Sequence, residues 1–260
     1  MCRLLAFSFQ KDTSKDSRVS FVESFKSLSL HGAVLPASIP GHSDGWGLTV
    51  YSASGNVPRC HKSVNSAHFD ETFNGGLFFN KGIPESGLIH LRKKTVGDAI
   101  LQNTHPFIDG VFSFIHNGTL SHKESYPTLA YSCEGNTDSE RLFKRFLEIK
   151  NNETIETEKA FIKMLSEAKE LYPEYSALNT ILHDGEHIFA SRVINLENPL
   201  YSESELHKYY TLHVGITSVG DVVISSEEIP HLDISYTLLP NNSVSRIRIC
   251  DGAIVTTQIV

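Results

Sequence analysis

Two consecutive amphipathic helices stand between runs of strand-forming sequence at both ends of the chain, which points to sheets covered by helical layers. The first helix opens at Asn136-Thr137-Asp138-Ser139-Glu140, with Thr137 and Glu140 in capping-box spacing and Leu142, Phe143, Phe146 and Leu147 on one side. The second runs from about Glu158 to Tyr172 with Phe161, Met164, Leu165, Ala168 and Leu171 at helical spacing, and Pro173 closes it. Ahead of them lie apolar strands at residues 3–9, 46–51, 86–92 and 111–116. After them come strands at 177–183, 187–193, 209–217, 222–226, 243–250 and 253–260, several separated by Asp-Gly, Gly-Asp or Asn-Asn turns. Strands at both ends with helices between indicate two sheets sandwiched by helix layers. A shorter helix is expected where Ser20 and Glu23 form a capping-box pattern and Phe21, Phe25 and Leu28 share a face up to His31-Gly32. Residues 52–62 read as turn-rich.

A chain of 260 residues can bury a substantial core, and with no linker or repeat in view it is expected to form one domain over 1–260. No apolar run is long enough to span a bilayer, and the start is not a secretory signal, so a cytoplasmic protein is expected. A net charge of -7 without a basic block argues against a nucleic-acid partner. No Walker-type loop or dinucleotide fingerprint appears, and no cofactor is expected. His183 and His187 have the spacing of a helical zinc pair, but Asp184-Gly185 between them is a hairpin turn, so no metal site is assigned. The four cysteines show no Cys-x-x-Cys pairing, and Cys60, Cys133 and Cys250 are expected in the core.

Cys2 is the residue of chemical interest. If Met1 is removed, one residue carries both a thiol and a free α-amine. An α-amine with an ordinary pKa of about 7.7 to 8.0 can take the proton of a thiol of about 8.5, so nucleophile and base are supplied together. The simpler reading is a small residue beginning an edge strand. Several later residues bear on that choice. Arg92, at the end of a buried strand, can hold an anion, though a surface arginine beside Lys93 and Lys94 fits the segment equally well. Asn117-Gly118 is by itself a tight-turn signal, yet it can also aim a side-chain and a backbone N–H at one point, as an oxyanion hole requires. Asp138, in the first turn of its helix, is explained by the helix dipole or by a substrate ammonium.

Taken together, Met1-Cys2-Arg3-Leu4-Leu5, Asp44-Gly45-Trp46-Gly47, His90-Leu91-Arg92 with Thr95, Asn103-Thr104-His105-Pro106-Phe107, His116-Asn117-Gly118 and Thr137-Asp138 resemble the class II, N-terminal-nucleophile glutamine amidotransferases. The resemblance is narrower with a stand-alone branch that includes γ-glutamyl hydrolases of ergothioneine synthesis and a fungal subunit of glutathione degradation. It covers about the first 140 residues, and Ser225-Ser226-Glu227 stands where that branch often has Ala-Ser-Glu-Pro. No role is assigned to that run.

The resemblance implies an α+β, four-layer αββα sandwich, the Ntn-hydrolase fold, with two largely antiparallel sheets. It implies that Cys2 attacks the γ-amide of glutamine or a γ-glutamyl compound through a thioester, that Asn117 and Gly118 stabilise the oxyanion, and that Arg92 and Asp138 clamp the α-carboxylate and α-ammonium. Thr95 and His105 are expected to support the pocket. The partners expected are a small glutamine or γ-glutamyl substrate and, for ammonia transfer, an acceptor or synthase protein. The alternative from another class is a non-catalytic γ-glutamyl-binding or regulatory subunit, which a retained Met1 would favour. A peptide or penicillin-type amidase shares the nucleophile architecture, but the charge clamp argues against a bulky apolar acyl group.

Overall fold

The computed structural model describes residues 2–36, 38–52, 57–79, 85–120, 129–197, 199–230 and 232–259. Met1, on whose removal the chemistry of Cys2 turns, lies outside the described residues. In chain order the elements are β1 (Arg3–Phe9), α1 (Lys15–Lys26), α2 (Leu28–His31), β2 (Trp46–Ser52), β3 (Arg59–Ser63), α3 (Gly75–Phe78), β4 (Glu85–Leu91), β5 (Phe107–Asp109) and β6 (Phe112–Asn117). They continue as α4 (Asp138–Glu153), α5 (Thr157–Leu171), β7 (Asn179–His183), β8 (His187–Arg192), α6 (Glu203–Tyr209), β9 (His213–Thr217), β10 (Val222–Ser225), β11 (Ile234–Leu238), β12 (Ser243–Arg248) and β13 (Ile254–Gln258).

Strand β1 shows why the sheets stack as they do. It is buried along its whole length, because successive side chains enter two different cores. Leu4 and Ala6 meet Leu88, Ile115, Ile181 and Ile224 between the sheets, whereas Leu5, Phe7 and Phe9 meet Phe21, Val22 and Phe25 of α1. Full burial of each such side chain contributes about 1.5–3 kcal/mol. The seven-stranded sheet runs β11-β9-β10-β1-β4-β2-β3 and the six-stranded sheet β13-β12-β8-β7-β6-β5, with antiparallel pairing throughout. On the outer face of the second sheet, Phe114, Leu182 and Phe189 meet Phe143, Phe146 and Phe161 of α4 and α5. The layer order is therefore αββα.

Several boundaries differ from those read in the sequence. Helix α1 starts earlier, at Ser14, whose side chain accepts from the Ser17 N–H at 3.1 Å. At α4, Thr137 caps the helix by accepting from the Glu140 N–H at 3.3 Å, but the Glu140 carboxylate turns instead to the N–H groups of Glu134 and Gly135, at 2.7 and 2.8 Å. The strand expected from Tyr209 begins only at His213. Before it lies α6, whose capping box has Ser202 Oγ accepting from the Glu205 N–H and Glu205 accepting from the Ser202 N–H at 2.8 Å. The turn-rich segment contains edge strand β3, which carries no apolar alternation because it is mostly exposed. The cysteine expectation fails for the same kind of reason. Cys60 lies on that edge strand, Cys250 follows β12, and both are exposed, while Cys133 is half-buried.

His183 and His187 do sit at the ends of two hairpin strands, β7 and β8, joined through Asp184-Gly185. His183 accepts from the Gly185 N–H at Nδ1 (2.9 Å), so its Nε2 carries the proton that reaches Ser86 Oγ at 2.8 Å. Among the described residues no cluster of His, Cys, Asp and Glu could hold a metal ion.

Candidate active site

The register of the central strands gathers the chemistry at one end of the sandwich. Leu4 pairs with His90 and Arg3 with Leu91, so the next step along the ladder sets Cys2 opposite Arg92. Strand alternation turns Cys2, His90 and Arg92 to the face that Leu4 and Leu88 occupy, between the sheets. From the facing sheet, Ile115 enters the same layer, and Asn117 follows two residues on at the end of β6.

Cys2 and Asn117 meet there. The backbone N–H of Cys2 donates to Asn117 Oδ1 at 2.8 Å. Asn117 is fully buried, and its Nδ2 has no hydrogen-bond partner. A buried amide donor left unpaired carries a desolvation cost of about 1–3 kcal/mol, which an acceptor arriving beside it would relieve. The Cys2 sulfur receives the Lys93 N–H at 3.4 Å, a contact with no signal in the sequence beyond the register itself. Gly118 follows Asn117 where a Cβ would stand 1.9 Å from the Ala177 carbonyl oxygen, so only glycine fits this close approach of two backbones.

Arg92 is 3% exposed and donates to the carbonyls of Asp98 (3.0 Å) and Val96 (3.2 Å). Burial pulls its guanidinium below the ordinary arginine range, opposed by the charges of Cys2, Asp44 and Asp98. Asp138, the first residue of α4, accepts from the N–H groups of Leu120 (2.7 Å) and Ser139 (2.9 Å). Thr95 Oγ1 lies 3.3 Å from Thr119 Oγ1. Cys2, Arg92, Thr95, His105, Gly118 and Asp138 line one cavity of about 20 Å³. Asn117 stands behind it, bonded to Cys2. A roomier cavity of about 660 Å³ at the other end of the sandwich is lined by Tyr51, Ser86, His187 and Arg248, and the thiol there, Cys250, is exposed. The smaller cavity is the candidate site on the chemistry of its lining, not on volume.

Three histidines surround this end. The His90 and His105 rings stand 4.1 Å apart between centroids, and burial pushes both far below the ordinary histidine range. His116 also lines the cavity. It shares hydrogen bonds with Ser139 Oγ at 2.9 Å and the Ala177 carbonyl at 3.1 Å. Burial lowers its pKa, against the opposing influence of Asp138 and that carbonyl. His105 is set by a cis peptide to Pro106 and rests on Gly47, where a Cβ would meet the His105 carbonyl oxygen at 2.0 Å. Asn103 joins the two lining segments: its Nδ2 donates to Asp98 O (3.0 Å) and Asn136 Oδ1 (2.7 Å), and its Oδ1 accepts from the Asn136 N–H at 2.9 Å.

Sequence comparison agrees with this architecture. Residues 1–207 match the class-II glutamine amidotransferase family, and the chain belongs to it. Its curated relatives include an uncharacterized protein of Methanocaldococcus jannaschii, 30% identical over 88% of this chain and 62% of that protein. The chain spans about three fifths of the length of the first curated relatives it matches. Among solved structures, a glutamine aminotransferase class-II domain protein from Silicibacter pomeroyi superposes with a TM-score of 0.61 at 17% identity, covering 100% of both chains. The glutamine phosphoribosylpyrophosphate amidotransferase of B. subtilis gives a TM-score of 0.60 at 10% identity, covering 100% of this chain and 49% of that one. The fold is the αββα sandwich of the Ntn hydrolases. Among the described residues no helix is long and apolar enough to cross a membrane.

Proposed function

We propose that the chain hydrolyses the γ-amide of glutamine or of a γ-glutamyl compound, with Cys2 as the nucleophile once Met1 has been removed. One observation carries this reading: Asn117 holds the Cys2 nitrogen with its Oδ1 at 2.8 Å while its Nδ2 stays buried and unpaired. A single side chain thus orients the nucleophilic residue and keeps one donor in reserve for a new acceptor.

In the proposed reaction the Cys2 thiol loses its proton to its own α-amine and its sulfur adds to the γ-carbonyl carbon. The oxygen that becomes negative is received by Asn117 Nδ2 and the Gly118 N–H. The C–N bond then breaks, the α-amine returns the proton to the departing nitrogen, and a γ-glutamyl thioester remains. Water cleaves the thioester and releases glutamate. Arg92 binds the α-carboxylate of the glutamyl group and Asp138 its α-ammonium, with Thr95 and His105 shaping the walls. The cavity, of about 20 Å³, has room for little more than one water.

The test is the intact mass of the purified protein before and after incubation with a glutamine-mimicking electrophile, beside a Cys2→Ala control. Loss of Met1 and a single adduct that requires Cys2 are the expected results. A processed protein that forms no adduct would sink the γ-glutamyl reading. Glutamate release by the protein alone indicates a hydrolase, whereas release that needs a second protein indicates an ammonia-supplying subunit.

A further inference from the structure

Arg3 is 1% exposed, an expensive place for a guanidinium unless its charge and donors are met. Its Nε lies 2.7 Å from Glu227 Oε2, a charge contact whose N–H is not aligned for a hydrogen bond. One terminal nitrogen donates to the Ala33 carbonyl, and the other donates to the carbonyl oxygen of Cys2 at 3.3 Å. The guanidinium carbon stands 4.8 Å over the Tyr209 ring. Glu227 is fixed in turn by the Ala33 N–H, which donates to the same Oε2 at 2.9 Å.

The neighbouring Ser226 acts on the same strand. Strand β10 pairs with β1 as far as Leu5 opposite Ser225. One step further, the Ser226 N–H donates to the Leu4 carbonyl at 3.0 Å, and Ser226 Oγ accepts the Leu4 N–H at 2.8 Å. The ladder is thus carried to within two residues of Cys2.

A nucleophile that opens a chain has no preceding residues to hold it, and chain ends fray unless they are tied down. A catalytic group nevertheless has to be held within about 0.5 Å of its working position. Alternation along β1 turns Arg3 to the face opposite Cys2, and Arg3 does not line the cavity. It grips Cys2 from behind, through the carbonyl, while Asn117 holds the nitrogen from the front.

We infer that Arg3, Glu227 and Ser226 are positioning residues that clamp the main chain of Cys2 without touching substrate. The inference rests on the reading of Cys2 as the nucleophile. It gives Ser226 and Glu227, from the segment that joins β10 to β11, a part in the reaction although more than 220 residues separate them from Cys2 in sequence.

The test compares Glu227→Gln, Glu227→Asp and Ser226→Ala with the unaltered full chain. Three quantities are followed: kcat and KM for L-glutamine, hydrogen exchange of peptides from residues 2–9 and from α4, and the urea midpoint. Glu227→Gln is expected to lower kcat by about tenfold to a hundredfold, since a misplacement of about 1 Å can cost about 10²-fold, with KM within about twofold. Exchange should quicken in residues 2–9 and stay unchanged in α4, and Glu227→Asp should recover part of kcat. Ser226→Ala should quicken exchange at Leu4. Unchanged exchange in residues 2–9 of Glu227→Gln overturns the clamp, as does a rise in KM at constant kcat or a uniform loss of protection across the whole chain. Failure of the Cys2 reading looks different: the unaltered protein then shows no Cys2-dependent glutaminase activity, and the exchange experiment alone decides the clamp.

Discussion

The imidazoles of His90 and His105 are tilted 33° to one another, and both rings are buried. Two adjacent buried rings cannot take up charge cheaply, so both stay neutral in the folded protein. His183 at the other end of the sandwich is hydrogen-bonded to Gly185 and Ser86 as a neutral ring, and burial lowers it to about 3.

These histidines set the acid limb of stability. In the unfolded chain they protonate near the ordinary value of about 6.5. Below that pH the unfolded state binds more protons than the folded one, so stability rises with pH up to about 6.5 and is lost as pH falls. For His183 the loss runs from about 6.5 down to about 3, where the folded form also protonates. Urea midpoints measured at intervals between about pH 4.5 and 7.5 should fall steadily on the acid side. A His183→Asn variant should show a shallower fall, and a flat profile in the unaltered protein would contradict neutral burial.

Asn117 offers two separable functions. Asn117→Asp keeps an acceptor for the Cys2 nitrogen and removes the Nδ2 donor, whereas Asn117→Ala removes both. Each should lower kcat for glutamine by about 10²–10³, the usual consequence of losing one oxyanion donor. If Asn117→Asp retained full turnover, Nδ2 would have no part in catalysis.

Replacing Arg92 by Lys keeps the charge but loses the planar fork. A charged hydrogen bond contributes about 1.5–3 kcal/mol, so KM for glutamine should rise by roughly tenfold to 150-fold with a smaller change in kcat. Steady-state kinetics on Arg92→Lys and Asp138→Asn check the clamp. An effect confined to kcat would place these residues outside substrate binding.

Gly47→Ala tests the seat of His105. The new Cβ would come within 2.0 Å of the His105 carbonyl oxygen, so backbone has to shift. Overpacking of this kind costs about 1–3 kcal/mol, and the expected result is a lower urea midpoint together with reduced turnover. An unaltered midpoint would mean that the loop carrying His105 yields freely.

Where each layer has its own periodicity, the sequence was readable. The faces of α4 and α5 follow from Phe143, Phe146, Phe161 and Met164, all of which are buried. The Asp184-Gly185 hairpin and the strands leading to Arg92 and Asn117 are legible because buried strands write continuous apolar runs. Edge strand β3 is not legible because its side chains mostly face water and carry no apolar alternation, whereas β11, Ile-Ser-Tyr-Thr-Leu, does alternate and packs Ile234 and Tyr236 against a core. Helix α6 was overlooked because Tyr209, Tyr210 and Leu212 suit a strand as well, although Ser202 and Glu205 hold a capping signal.

Of the candidate site, the grouping of residue types was legible and its supports were not. Cys2, Arg92, Thr95, His105, Gly118 and Asp138 do line a common cavity. Nothing local to Ser226 or Glu227 announces that they reach Leu4 and Arg3, because such contacts arise only from the pairing of β1 with β10.

The place of β1 in the seven-stranded sheet has a consequence for synthesis. This strand precedes the other described strands in sequence, yet its neighbours are β4 and β10, and β10 is among the later ones. Until Val222–Ser226 has emerged, one edge of β1 stays open and Leu4 lacks its hydrogen-bond partner. Pairings this distant in sequence are slow to form. The strand that leads away from Cys2 is therefore completed only by a segment 222 residues further along the chain than Leu4.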